Sequence, residues 1–280
     1  TRAYLDEQGV DRAVVTGGEP TVRAAALPDA RYGHALTAAY NDWLVDTWLD
    51  DDRFRGSIAV SPLAPERAAE EIRRLADHPR MVQVVVGDGT QIPLGQEKYW
   101  PIYEAAAEND LPLAVHAGCE GYGVAYPNSG GGYPSTYLEQ RTVTPCNFMG
   151  QLLSLVVEGV FVEFPDLRVV LVGSGFGWLP SFLWRVDKVW KGPSQDVPWV
   201  SAPPSEYVRD HVTVVTSVLE EADSADHQRQ LMDMAHGAEM LAFGSEYPHW
   251  DASDGAFQFD HASADLRGFF GETATALYDL

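Results

Sequence analysis

The sequence predicts an α/β protein in which parallel strands close into a barrel and crossover helices cover the outside. Three observations predict it. Short apolar β-type runs alternate with longer helical patterns along the whole chain. Most of those runs are continuous rather than alternating, as in strands buried on both faces. No Gly-rich dinucleotide fingerprint follows the first run, which argues against an open doubly wound sheet. GSGFG at 173–177 comes nearest and lacks an acidic residue at the required distance.

In chain order the expected strands are Ala13–Thr16, Ser57–Val60, Met81–Val86, Leu113–Val115, Val169–Val172, Val212–Thr216 and Leu241–Phe243. Helical patterns occupy Tyr40–Leu49, Pro65–Ala76, Tyr99–Asn109, Met149–Val160, Leu179–Lys191 and Ala225–Ala235, with Pro65 and Pro180 suited to first-turn positions. The chain opens in a further amphipathic helical pattern ahead of the first run. Seven runs are one short of a (β/α)8 barrel, and the simplest expectation is that strand one precedes Thr1. No Pro/Gly/Ser linker divides the 280 residues, so one domain spanning 1–280 is expected.

Composition narrows the function. The chain is 45% hydrophobic and contains 8 Trp, 12 Tyr and 11 Phe, enough for a large core. With 19 basic and 41 acidic residues its formal charge is −22, which disfavours nucleic acid and anionic membranes as partners. No apolar run approaches the roughly 20 residues of a spanning helix. Cys119 and Cys146 read as free thiols of a reducing compartment, and the N-terminal residues lack the basic start and apolar core of a signal peptide. A cytoplasmic protein acting on a small molecule is the resulting expectation.

Barrel chemistry sits at the C-terminal strand ends. His116 ends LPLAVHAG, where a neutral imidazole can hold a divalent metal or bond a loop carbonyl; the small Ala117 and Gly118 leave room beside the ring. Glu246, in LAFGSEYPHWD, could ligate a metal, move protons to and from bound water, or stand exposed at a turn. His249 and Asp251 follow within five residues and could line the same mouth. Trp178, Trp184 and Trp190, with Phe182 and Leu183, read as core or subunit packing; Trp178 and Phe176 beside it are the candidates for substrate contact. The long Gly-rich loop 119–135, carrying Tyr122, Tyr126 and Tyr133, is expected to form a lid or pocket wall, with Tyr126 at the substrate.

YLDEQGVDRAVV (4–15), AAYNDWLVD (38–46), PIYEAAAENDLPLAVHAG (101–118), FPDLRVVLVGSGFGWLPSFLWRVDK (164–188), LAFGSEYPHWD (241–251) and FFGETATALYDL (269–280) lie in the same order as matching blocks of a known family. The chain thus resembles the second amidohydrolase family, which includes aminocarboxymuconate-semialdehyde decarboxylase. The resemblance implies a distorted (β/α)8 TIM barrel, a mononuclear zinc or manganese ion at the mouth, and a homodimer. It also implies hydrolysis of cyclic or amide-like substrates, or non-oxidative decarboxylation of small aromatic or unsaturated acids. His116 matches the family's central metal histidine, and Glu246 stands where the family has Asp, one methylene longer, about 1.5 Å of reach. The family's first-strand HxH pair is not in the sequence, and Gly173 replaces a His or Glu. Two ligands fall short of a stable metal site. Three readings therefore stay open: a metal-dependent enzyme, a metal-free descendant using Glu246 and His116 for acid/base rearrangement, cyclisation or elimination, and a non-catalytic binding or partner subunit.

Overall fold

A computed structural model of the chain describes residues 1–127, 129–217, 220, 222–250, 252 and 271–280. Asp251 and the start of the last matching block lie outside the described residues. All seven expected runs are strands: β1 (Ala13–Val15), β2 (Phe54–Ala59), β3 (Met81–Gly87), β4 (Leu113–His116), β5 (Val169–Val172), β6 (Val212–Val215) and β7 (Leu241–Ala242). They form one sheet in the order β1-β2-β3-β4-β5-β6-β7, and every adjacent pair is parallel. The sheet curls as a distorted TIM barrel does, with β1 and β7 as its edges among the described residues.

The connecting helices are α1 (Arg2–Gln8), α2 (Gly18–Ala25), α3 (Ala30–Thr47), α4 (Pro65–Leu75), α5 (Trp100–Glu108), α6 (Tyr137–Val157), α7 (Val160–Glu163), α8 (Leu179–Trp190), α9 (Pro204–His211), α10 (Ala225–Met234), α11 (Gly237–Met240) and α12 (Thr273–Tyr278). Several helices depart from expectation: α3 begins at Ala30 rather than Tyr40, where Asp29 caps it, and α9 was not expected. Helix α6 begins at Tyr137 rather than Met149, because Thr136 and Glu139 form a capping box that fixes its start upstream of Pro145. Helix α2 was not expected at all, since its Gly-Gly-Glu-Pro opening reads as a loop; Pro20 instead sits in the first turn, where its missing N–H costs nothing.

The strands separate two hydrophobic layers. Ile58, Val84, Val86, Leu113, Val115, Val169 and Leu171 face outward to the helices and join the larger cluster. Ala59, Val85, Ala114, Val170 and Val172 face the concave side, with Val22 of α2 and Leu277 of α12. Each large aliphatic side chain fully buried contributes about 1.5–3 kcal/mol, so the outer layer, richer in such residues, dominates stability.

The inner face has a base and a mouth. At the base Tyr278 Oη donates to Gln83 Oε1 at 2.6 Å, and Gln83 Nε2 donates to Ser57 Oγ at 2.8 Å, so α12 closes that end. Burial raises the Tyr278 phenol well above its usual range. The opposite end is framed by the C-terminal strand ends and α2. Tyr4 of α1 stacks on Tyr247 beyond β7, with ring centroids 4.0 Å apart, linking the elements at the two sheet edges.

Among the described residues no helix is long and apolar enough to cross a membrane. Along α8, Leu183 is buried and Trp184 is 63% exposed, so the tryptophan series divides between core and surface.

Candidate active site

Side chains alternate across a strand, and His116 shares the inward face of Ala114 at the last residue of β4. The residue is buried. Its Nδ1 lies 2.6 Å from the Ala117 carbonyl oxygen, which can only accept, so Nδ1 carries the proton. On the neutral ring the lone pair then lies on Nε2, which no described residue hydrogen-bonds. This is the tautomer a ligating or proton-accepting histidine needs.

The Ala117–Gly118 turn is held from below. Gly118 N–H donates to Glu120 Oε2 at 2.8 Å, and Thr144 Oγ1 on α6 lies 3.0 Å from Glu120 Oε1. Asp88, immediately beyond β3, is fully buried and accepts from Cys119 N–H and from Asn147 Nδ2. Burial first, and the neighbouring Glu120 carboxylate second, push the Asp88 carboxyl well above its ordinary range. Cys119 Sγ is wedged against the Gly89 backbone at 3.1 Å, and burial raises its thiol too. It is a packing thiol rather than a nucleophile.

Glu246 follows β7 with φ of +58°. Its Oε1 lies 3.6 Å from the place a Cβ on Gly173 would occupy, and Ala117 Cβ lies 2.9 Å from that same place. Thus the Glu246 carboxylate and the residue after His116 border one small volume over the end of β5. No described residue hydrogen-bonds this carboxylate. Gly173 itself has φ of +78°, a conformation that suits glycine.

The other expected contacts fall differently. Phe176 is fully buried and Trp178 nearly so, both within the larger hydrophobic cluster. The Trp178 indole N–H is shared between the carbonyls of Ser174 and Gly175, so the ring supports the loop after β5. Tyr126 is 64% exposed. His249 lies at the rim, its Nε2 3.5 Å from Tyr137 Oη, while Trp250 Nε1 donates to the same oxygen at 3.4 Å. Tyr137 therefore joins the start of α6 to the segment after β7, a link that sequence reading missed.

The first half of the 119–135 loop is an anchored wall. Arg23 Nε of α2 donates to Gly118 O at 3.0 Å, its guanidinium lies over Tyr122, and Val124 N–H donates to Ala26 O. Glu120 was also missed, although it is the single acidic residue in that glycine-rich stretch. A lone carboxylate among glycine N–H groups was the available signal.

The model of the amidohydrolase family matches residues 3–280. The chain belongs to this family. Among curated relatives it is 27% identical to the gamma-resorcylate decarboxylase of Rhodococcus jostii strain RHA1, over 92% of this chain and 79% of that protein. Among solved structures it is similar to the 5-carboxyvanillate decarboxylase of Novosphingobium aromaticivorans complexed with manganese and 4-hydroxy-3-methoxy-5-nitrobenzoic acid. That match has a TM-score of 0.77 and 23% identity, over 100% of this chain and 79% of the other. It is also similar to the dihydroxybenzoic acid decarboxylase of Polaromonas sp. JS666 with bound manganese and 2-nitroresorcinol, with a TM-score of 0.75 and 18% identity, over 100% and 85% of the two chains. The family membership and the shared architecture agree with the fold expected from the sequence.

The donor set for a metal is incomplete as described. His116 Nε2 and the Glu246 carboxylate are two candidate donors. Among the described residues no group of three or more His, Cys, Asp or Glu is placed to hold an ion, whereas a stable site uses three or four protein ligands.

Proposed function

We propose that this chain is an enzyme of the lyase type that removes carbon dioxide from a small hydroxylated aromatic acid, with Glu246 and His116 as its catalytic pair. The observation that carries the reading is that, among the described residues, neither His116 Nε2 at the end of β4 nor the Glu246 carboxylate beyond β7 has a hydrogen-bond partner, while that carboxylate and Ala117, the residue after His116, border one volume over Gly173. The decarboxylase relatives support the reaction class. The manganese in two of them supports a divalent ion in the family, and the choice between manganese and zinc here belongs to metal analysis of the protein. Because the described donors number two, no step below depends on such an ion.

Loss of carbon dioxide from an aromatic acid needs a proton at the ring carbon that bears the carboxylate. The Glu246 carboxyl group delivers that proton; the C–C bond then breaks, its electron pair restores the aromatic ring, and Glu246 is left as carboxylate to be reprotonated from water. His116 Nε2 accepts a hydrogen bond from the substrate's phenolic hydroxyl, orienting the ring. The anchored wall 118–126 and the Tyr137–Trp250 contact limit water at the mouth. A metal-free acid/base reading uses the same two groups.

Incubation with ortho-hydroxylated benzoic acids, with and without added manganese, is the test. Carbon dioxide release that falls about 10²–10⁴-fold in Glu246→Gln and in His116→Ala is expected. Equal rates in wild type and both variants would exclude the assignment. Activity that survives chelation would select the metal-free form.

A further inference from the structure

The Ala117–Gly118 peptide connects two side chains through opposite ends of one amide. Its carbonyl oxygen accepts from His116 Nδ1 at 2.6 Å, and its N–H donates to Glu120 Oε2 at 2.8 Å. An amide whose N–H is drawn towards a carboxylate places more negative charge on its carbonyl oxygen, and so accepts more strongly at the other end. We propose that Glu120 is the positioning residue of His116, acting through this peptide to hold the proton on Nδ1 and present Nε2 to the mouth.

Four features of the surroundings support this assignment. Glu120 is 7% exposed, so its contact with the Gly118 amide is made out of water, where a hydrogen bond is electrostatically stronger. Its two oxygens are both engaged, one by Gly118 N–H and one by Thr144 Oγ1 on α6, which fixes the carboxylate plane. Gly118 has φ of +112°, and a Cβ there would stand 2.6 Å from Glu19 Cγ, so the peptide has little freedom to turn away. Arg23 Nε, from α2, holds the next carbonyl, Gly118 O. A carboxylate reaching a histidine through an intervening amide does what a direct carboxylate–histidine contact does: it selects the tautomer and the ring orientation.

The inference rests on the proposed function only for why Nε2 matters; the relay itself is measurable without substrate. In protein labelled with 15N-histidine, wild-type His116 is expected to show a protonated Nδ1 and a lone-pair shift at Nε2. Glu120→Ala should let the two ring nitrogens move towards an averaged shift, as Nε2–H becomes populated. Glu120→Gln keeps an acceptor of the same shape without charge, so the Nδ1–H tautomer should persist while the Gly118 amide proton and the His116 Nδ1 proton both move upfield. Should Glu120→Ala fail to fold, the Glu120→Gln comparison decides alone. A wild-type Nε2–H tautomer, or a His116 Nδ1 proton that stays put while the Gly118 amide moves, would overturn the relay. Coupling without any decarboxylation would refute the proposed reaction and leave the relay standing.

Discussion

An alanine at position 173 would bring a methyl group 2.9 Å from Ala117 Cβ on a backbone held at φ of +78°. The left-handed conformation costs a non-glycine residue about 1–2 kcal/mol, and the contact adds overpacking of about 1–3 kcal/mol. Gly173→Ala is therefore expected to lower stability by about 2–4 kcal/mol in chemical denaturation. A second residue-scale expectation concerns pH. The Asp88 carboxyl is raised in the folded chain, so the stability it contributes is complete below the ordinary carboxylate pKa of about 4 and is lost as pH climbs through its folded value. Asp88→Asn removes that titration, so its melting temperature relative to wild type should rise with pH above about 4; parallel curves would contradict the assignment. His116 was legible from the sequence because a histidine closing an apolar strand is a short-range pattern. Glu120 and Asp88 were less so, because their importance comes from a contact between two different strand ends. Phe176 was read as a substrate contact, and its aromatic neighbourhood in sequence is equally what a core residue shows.

At the scale of elements, α2 and the wall after β4 support each other. Arg23→Ala removes the hydrogen bond to Gly118 O and the contact with the Tyr122 ring. Because Arg23 is a third exposed, the change in global stability should stay below about 1 kcal/mol. Amide exchange across residues 119–126 should nevertheless accelerate, and unchanged protection there would show that α2 does not hold the wall. The seven strands were visible because short continuous Val/Leu/Ala runs bounded by turn residues have few uses other than strands buried on both faces. The extended start of α6 was also written locally, in Thr136 and Glu139, but Pro145 inside the pattern masked it. Helix α2 was hidden by its glycines, and only packing of Val22 against the inner layer reveals why it forms.

Across the whole molecule, strand order equals chain order, the simplest outcome for repeated right-handed crossovers. That regularity is why the architecture could be read before the site. Strand parity then decides which residues meet: Ala114 and His116 turn inward, Tyr278 closes the base, and the open end receives the loops after β3, β4, β5 and β7. Whether His116 and Glu246 work as one unit is a whole-molecule question, since 130 residues of chain separate them. The direct test is a double-mutant cycle on kcat/KM for carbon dioxide release, using His116→Ala, Glu246→Gln and the pair together. Groups that act on one substrate in one step lose far less together than the sum of their separate losses. The account predicts a double variant scarcely slower than the worse single variant; losses that add in full would mean that the two side chains serve different places.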